Sequence, residues 1–166
     1  MRLGRKYLLA GAIATLVLAM LAIGGVSYGN YVETGAESYN PFNQLLTGVY
    51  TQITFAYDSS VNQFVTDYRY TFVRHWTYVA WWCVTCYANI LDTKDSTSPN
   101  YLYGRATWTM GSWNAQFNGY NEVAIATTNT INQFYTDIYV YVNGQPAIDI
   151  SHLPVTIPVE IQIIAK

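Results

Sequence analysis

Charge is what this sequence has least of: Asp, Glu, Lys and Arg together make up 11% of its 166 residues. Cysteine and histidine occur twice each, as Cys83, Cys86, His75 and His152. His152 is far along the chain from the cysteines and no second close pair exists, so zinc-ligand spacing is absent. Asp92 and Asp95 share a polar stretch that lacks an EF-hand pattern. Neither a metal nor a cofactor is expected. There is no Gly-x-Ser-x-Gly elbow, and scattered carboxylates form no recognisable acid–base pair, so the chain does not read as an enzyme. No Asn-x-Ser/Thr acceptor for an N-linked glycan occurs. Basic charge is scarce where a ligand would need it. Three of the eight basic residues, Arg2, Arg5 and Lys6, precede an uncharged run, which leaves five basic against ten acidic beyond it, a balance of −5. Nothing there neutralises phosphates, and nucleic acid is not an expected partner.

What is present begins with that run. Tyr7 to Val26 is twenty residues without a charge, long enough as a helix to cross a hydrocarbon core of roughly 30 Å. A basic flank before an apolar stretch is an export signal. Small residues follow, Ser27 and Gly29 are the candidate cleavage positions, and a cut behind Gly29 would leave a mature chain of residues 30–166. An uncleaved anchor is the alternative, because the run exceeds the usual signal core. Both readings put the remainder outside the cytoplasm, extracellular or on the cell surface, with the membrane as a partner during export or through the anchor.

The remainder reads as strand. Residues 30–48 form an extended N-terminal segment with a turn at Asn40-Pro41, and 49–166 a single domain. Val49–Tyr57 alternates, Asp58-Ser59-Ser60 has turn chemistry, and Val61–Val73 follows as a second strand. Thr77–Leu91 is a long strand candidate, and Asp92–Asn100 the clearest loop. Tyr101–Thr109 and Trp113–Phe117 are strands broken at Gly111 and Asn118-Gly119. Glu122–Thr128 and Ile131–Val142 make another hairpin. Asn143-Gly144 turns the chain into Pro146–Ile150. Val155–Ile164 alternates around Pro158, which suits a sheet edge. The fold class expected is all-β, a jelly-roll or immunoglobulin-like sandwich after the N-terminal hydrophobic segment. Val61-Asn62-Gln63-Phe64-Val65-Thr66-Asp67 and Ile131-Asn132-Gln133-Phe134-Tyr135-Thr136-Asp137 share Asn, Gln, Phe, Thr and Asp. Either a duplication or a shared local demand at a turn exit explains the likeness.

Cys83-Val84-Thr85-Cys86, after Trp81-Trp82, has redox-motif spacing without the helix that motif opens. In a straight strand the two cysteines lie about 10 Å apart, too far to bridge. A local disulfide needs a turn at Val84-Thr85; two separate thiols are the alternative. His75 ends a strand, where an ordinary surface role suffices. With so few charges, the surface must be Thr, Asn, Gln and Tyr, the dress of proteins that pack against their own copies.

Gly24-Gly25-Val26-Ser27-Tyr28, followed by Tyr31 and Glu33, resembles the junction of apolar run and mature chain in the camelysin and TasA family of biofilm fibre proteins. Asn40-Pro41-Phe42 and Thr47-Gly48-Val49 resemble that family's entry into its first core strand. The likeness covers about 25 residues, and the Trp-Trp-Cys-x-x-Cys stretch departs from it. The composition is also similar to archaeal bundling pilins. The resemblance implies a jelly-roll subunit of a pilus or biofilm-matrix filament, a homopolymer joined head to tail by donor-strand complementation. The donor it implies is the segment from Asn30 to Leu46, with Tyr31, Val32, Phe42, Leu45 and Leu46 entering a neighbour's groove. A membrane-anchored cell-surface or virion-envelope β-domain is the other expectation.

Overall fold

Ten strands account for most of the chain in the computed structural model, which describes residues 25–112, 115–156 and 160–165. They are β1 Val26–Tyr39, β2 Leu45–Asp58, β3 Gln63–Phe64, β4 Phe72–Val79, β5 Tyr87–Ser98, β6 Tyr101–Ser112, β7 Ala115–Thr127, β8 Gln133–Val142, β9 Gln145–Thr156 and β10 Glu160–Ala165. The first sheet runs β10-β1-β2, with β3 and β4 following one another along the far edge of β2. The second is β5-β6-β7-β8-β9, each strand hydrogen-bonded to the next in sequence. All pairings are antiparallel except β10 on β1, which is parallel. An all-β protein of two antiparallel sheets is thus what the alternation specified. Among the described residues, however, the second sheet is a plain meander, whereas jelly rolls and immunoglobulin sandwiches exchange strands by Greek-key connections.

The core lies between the sheets. Val32, Ile53, Phe55, Tyr57 and Phe64 from the first meet Leu102, Val123, Ile125, Phe134 and Ile138 from the second. Alternate residues of each strand point inward, so Val32, Thr34 and Ala36 sit opposite Ile53, Thr51 and Val49 on neighbouring β2. The two similar heptads face each other across this core. Each has at its second position an asparagine in the left-handed region, Asn62 at φ 54° and Asn132 at φ 61°. Phe64 and Phe134 stack with ring centroids 5.6 Å apart, and Asn62 Nδ2 donates to the Thr128 carbonyl at 2.8 Å. The likeness is spatial as well as sequential.

Several boundaries differ from the expected ones. Residues 30–48 are not a separate extension: β1 pairs with β2 along most of its length, and position 48 falls inside β2. Val61–Val73 is interrupted because Asp67 makes a turn, its side chain accepting from Arg69 N at 2.9 Å and its carbonyl from Tyr70 N and Thr71 N. Asp92–Ser98 is strand and not loop. It is the second half of β5, paired with β6 from Tyr101 to Thr107; backbone pairing asks nothing of the side chains, and charges on an edge strand discourage unwanted partners. Gly111 and Asn118-Gly119 break nothing, since β6 and β7 run through them. Val155–Ile164 is two strands: β9 ends in the second sheet and β10 lies at the edge of the first. Pro158 and Trp113 lie outside the described residues.

The turns gather at two ends. At one end lie Gly25, the 59–62 turn, Pro99-Asn100 and the 128–132 turn; at the other lie Asn40–Gln44, Ala80–Cys86 and Asn143-Gly144. A fourteen-residue strand separates them by about 45 Å.

Candidate functional site

The second of these ends is built by two turns whose chemistry is local. Asn40 Oδ1 accepts from Phe42 N at 3.0 Å and Gln44 N at 2.9 Å, and Asn40 Nδ2 donates to Gln44 Oε1 at 2.8 Å. Asn43 takes φ 59° to close the turn. Phe42 is left at the tip, 82% exposed. Beside it, Ala80 N donates to Leu46 O at 2.8 Å, and two successive turns follow, Cys83 N to Ala80 O and Cys86 N to Cys83 O. They bring the Cα atoms of Cys83 and Cys86 to 5.3 Å, and the two sulfurs are bonded. Of the alternatives left open for this pair, the local disulfide is the one realised. Thr77–Leu91 accordingly is not one strand but β4, this disulfide turn and the start of β5. Cys83 packs inward on Leu46 and Ala80, which turns Trp81 and Val84 outward at 91% and 96% exposure.

Between this tip and the β6–β7 hairpin the sheets part. The space is an apolar groove of about 450 Å³, lined among others by Ala36, Leu46, Met110, Phe117 and Val142. Its floor is held by Ser38 and Thr47, whose hydroxyls lie 2.7 Å apart, and by Thr47 Oγ1 donating to Met110 Sδ at 3.3 Å. We call this the cysteine end.

The residues singled out from the sequence are dispersed. Val32 and Leu46 are fully buried in the subunit's own interior, Tyr31 and Leu45 are half-buried, and Phe42 is exposed. Only Leu46 lines the groove and only Phe42 borders it. Ser27 and Gly29 belong to β1. Gly29 takes φ 78° where the register shifts between Ser27 and Asn30, and Asn30 Nδ2 donates to Ser27 Oγ at 3.2 Å. A cut behind Gly29 would remove only the Val26 and Ser27 pairs from the β1–β2 ladder. The apolar run ahead of Gly25 lies outside the described residues; among those described, no helix is long and apolar enough to cross a membrane.

Sequence reasoning passed over several polar contacts that join elements. His75 is not an ordinary surface residue: its ring lies 3.1 Å from Thr51 Oγ1 and 2.8 Å from Asp95, tying β4 to β5 across the sheets. On the outer face of the first sheet, Glu37 accepts from Tyr50 OH at 2.6 Å and from Tyr39 OH. The hydrogen bond to Glu37, then burial, pushes the Tyr39 hydroxyl up to about 12. On the second sheet, burial and then Glu122 push Tyr103 up to about 12. Period-two alternation places these pairs on a common face, but no local signal names them.

Those tyrosines give a pH prediction. Unfolded tyrosine titrates near 10, so the folded state holds these protons more tightly. Their contribution to stability is complete below about pH 10 and is lost as pH rises through about 12. Urea unfolding across that window is expected to show falling stability, and Glu37→Gln should move part of the tyrosinate absorbance step back toward 10. A stability flat across the window would refute the Glu37–Tyr39 pairing.

The fold and the groove define a two-sheet β-protein with an apolar opening at one end. Comparison with protein families, with curated proteins and with solved structures finds no match to this chain. No cluster of three or more metal-ligating side chains occurs among the described residues.

Proposed function

We propose that the chain is the structural subunit of an extracellular pilus or biofilm-matrix filament, copies of which join head to tail, the apolar groove of one receiving the N-terminal segment of the next. One observation carries the reading. The groove opens at the cysteine end, and the chain ahead of Gly25 departs from the opposite end, where Ser59 N donates to the Gly25 carbonyl at 3.1 Å. Donor and acceptor at opposite ends give a contact that does not close on itself, which generates a line. An apolar segment leaving a charge-poor surface is also shielded from water when a neighbour's apolar groove receives it.

The donor in this reading is the stretch before Gly25 and not Asn30–Leu46. If β1 left its place, it would swing about Asn40–Gln44, which spans about 20 Å at full stretch. That hinge joins the cysteine end of one subunit to the cysteine end of another. Exchange of β1 therefore favours a closed pair, while a line needs a step of about 45 Å. The proposal requires that the apolar segment stay on the mature subunit, which its intact mass reads.

The test uses purified protein and electron microscopy. A disulfide staple between β1 and β2, from Glu33→Cys with Gln52→Cys, which are register partners, is expected to leave filaments intact. Removal of residues 1–24 is expected to abolish them. Loss of filaments in the stapled variant, restored on reduction, would return the donor role to β1. A second reading, a membrane-anchored surface domain, is favoured by the absence of any linker between the apolar run and β1; it predicts monomers retained in the membrane fraction.

A further inference from the structure

The two ends of the subunit share a property that the flanks lack. The turn residues themselves carry no charge, 40–44, 80–86 and 143–144 at one end and 59–62, 99–100 and 128–132 at the other, with Asp58 at the edge of the second cluster, where it accepts from Ser60 N at 2.9 Å. Among the described residues the other charged side chains lie between them, on strands and side turns, as at Arg69–Asp67, His75–Asp95 and Arg105–Glu122. Both ends nonetheless expose large apolar side chains. The cysteine end presents Phe42, Trp81 and Val84 at 82%, 91% and 96%. The Gly25 end presents Val61 at 58% and Ile131 at 55%.

Val61 and Ile131 occupy the same place in the two similar heptads, immediately before the left-handed Asn62 and Asn132. The bond from Asn62 to Thr128 sets the two turns side by side, as does Asn132 N donating to Tyr57 OH at 3.1 Å. The repeat thus supplies a pair of apolar knobs, one from each sheet. The disulfide turn does the converse at the far end, fixing Cys83 inward so that Trp81 and Val84 stand out. Interface centres are depleted in charge and rich in aromatics, with tryptophan prominent among residues that dominate binding. A lipid surface would need only one such end; two, at opposite poles, fit a second copy.

We propose that Phe42, Trp81 and Val84 of one subunit pack on Val61 and Ile131 of the next, a direct end-to-end contact beside the groove. The proposal rests on the filament reading for its direction, and it gives the Trp-Trp-Cys-x-x-Cys stretch a role as a rigid docking tip. Because the contact is apolar on both sides, it is insensitive to salt at concentrations that screen surface ion pairs.

The experiment is site-specific photo-crosslinking of the full chain, with benzoylphenylalanine at position 84 and isotope-mixed copies to identify links between molecules. The expected product joins residue 84 to a peptide spanning 59–62 or 128–132 of another copy. Links to another cysteine end, to the strand flanks or to added zwitterionic vesicles, or no link, would overturn the contact. In parallel, the Trp81→Ser, Val84→Ser double variant should raise the critical concentration for polymerisation about tenfold or more, the scale of losing an aromatic anchor. Its thermal melt should match wild type, because both side chains are almost wholly exposed. Filaments formed by the variant at the unchanged concentration would sink the contact and leave the filament reading standing. End-to-end links without filaments would do the reverse.

Discussion

Trp108→Ala is expected to cost about 3–5 kcal/mol of stability, the range for truncating a buried tryptophan. Against a total of about 5–15 kcal/mol, this brings the subunit close to unfolding. Trp108 is completely buried and lies between the sheets with Ala36, Val49, Met110 and Val140. It also closes a polar link across the core. Its Nε1 donates to Asn121 Oδ1 at 3.0 Å, and Asn121 Nδ2 donates to the Val49 carbonyl at 2.7 Å. The chain of contacts runs from β6 through β7 to β2, so it fixes how one sheet sits on the other. Truncation leaves a cavity and an Asn121 oxygen without its donor, and a buried unpaired acceptor adds about 1–3 kcal/mol. Trp108→Phe separates the two effects, since it keeps most of the volume and loses only the N–H. Urea midpoints at unchanged slope measure both variants. A loss under about 1 kcal/mol for Trp108→Ala would mean that the sheets are held together elsewhere.

Gly119→Ala is expected to be comparably damaging, although it adds one carbon. A Cβ at this position would sit 1.8 Å from the Tyr141 carbonyl oxygen and 2.9 Å from Trp108 Cζ2. The first neighbour is backbone of the adjoining strand and the second is the core indole, so neither yields without cost. Ordinary overpacking costs about 1–3 kcal/mol. Here the β7–β8 ladder itself must open near Val142, and the expected loss is at the top of that range or above it. Gly111→Ala is the control: its Cβ would meet the Tyr87 ring, a side chain that can turn away. If both glycines tolerate alanine equally, the close approach at Gly119 does not constrain the fold.

Gly119 also marks where sequence reading stopped. Asn-Gly after a short strand has the form of a turn, and nothing nearby says otherwise. The glycine is there because a neighbouring backbone and an indole from another strand press against it, and those neighbours are more than ten residues away in sequence. The polar stretch Asp92–Ser98 misled in the opposite direction. Its side chains have loop character, while its strand geometry comes from the backbone of β6. The cysteines kept two readings open for the same kind of reason, because whether they meet depends on a turn anchored by Leu46 on another strand. In contrast, Asn143-Gly144 and the Asn40-Pro41 turn were legible, since their chemistry is their own.

Local periodicity is a property of consecutive residues, so the chain alone determined its all-β character, the inward-facing sets of its longer strands and the scarcity of charge on its surface. Which strands adjoin, where the sheets part to leave the groove, and the gathering of uncharged turns at opposite poles arise from contacts between distant segments. No local pattern records those contacts. Only packing two sheets face to face brings Thr47 to Met110, Asn62 to Thr128 and Asn121 to Val49, and it is this packing that turns a list of strands into a body with two distinct ends.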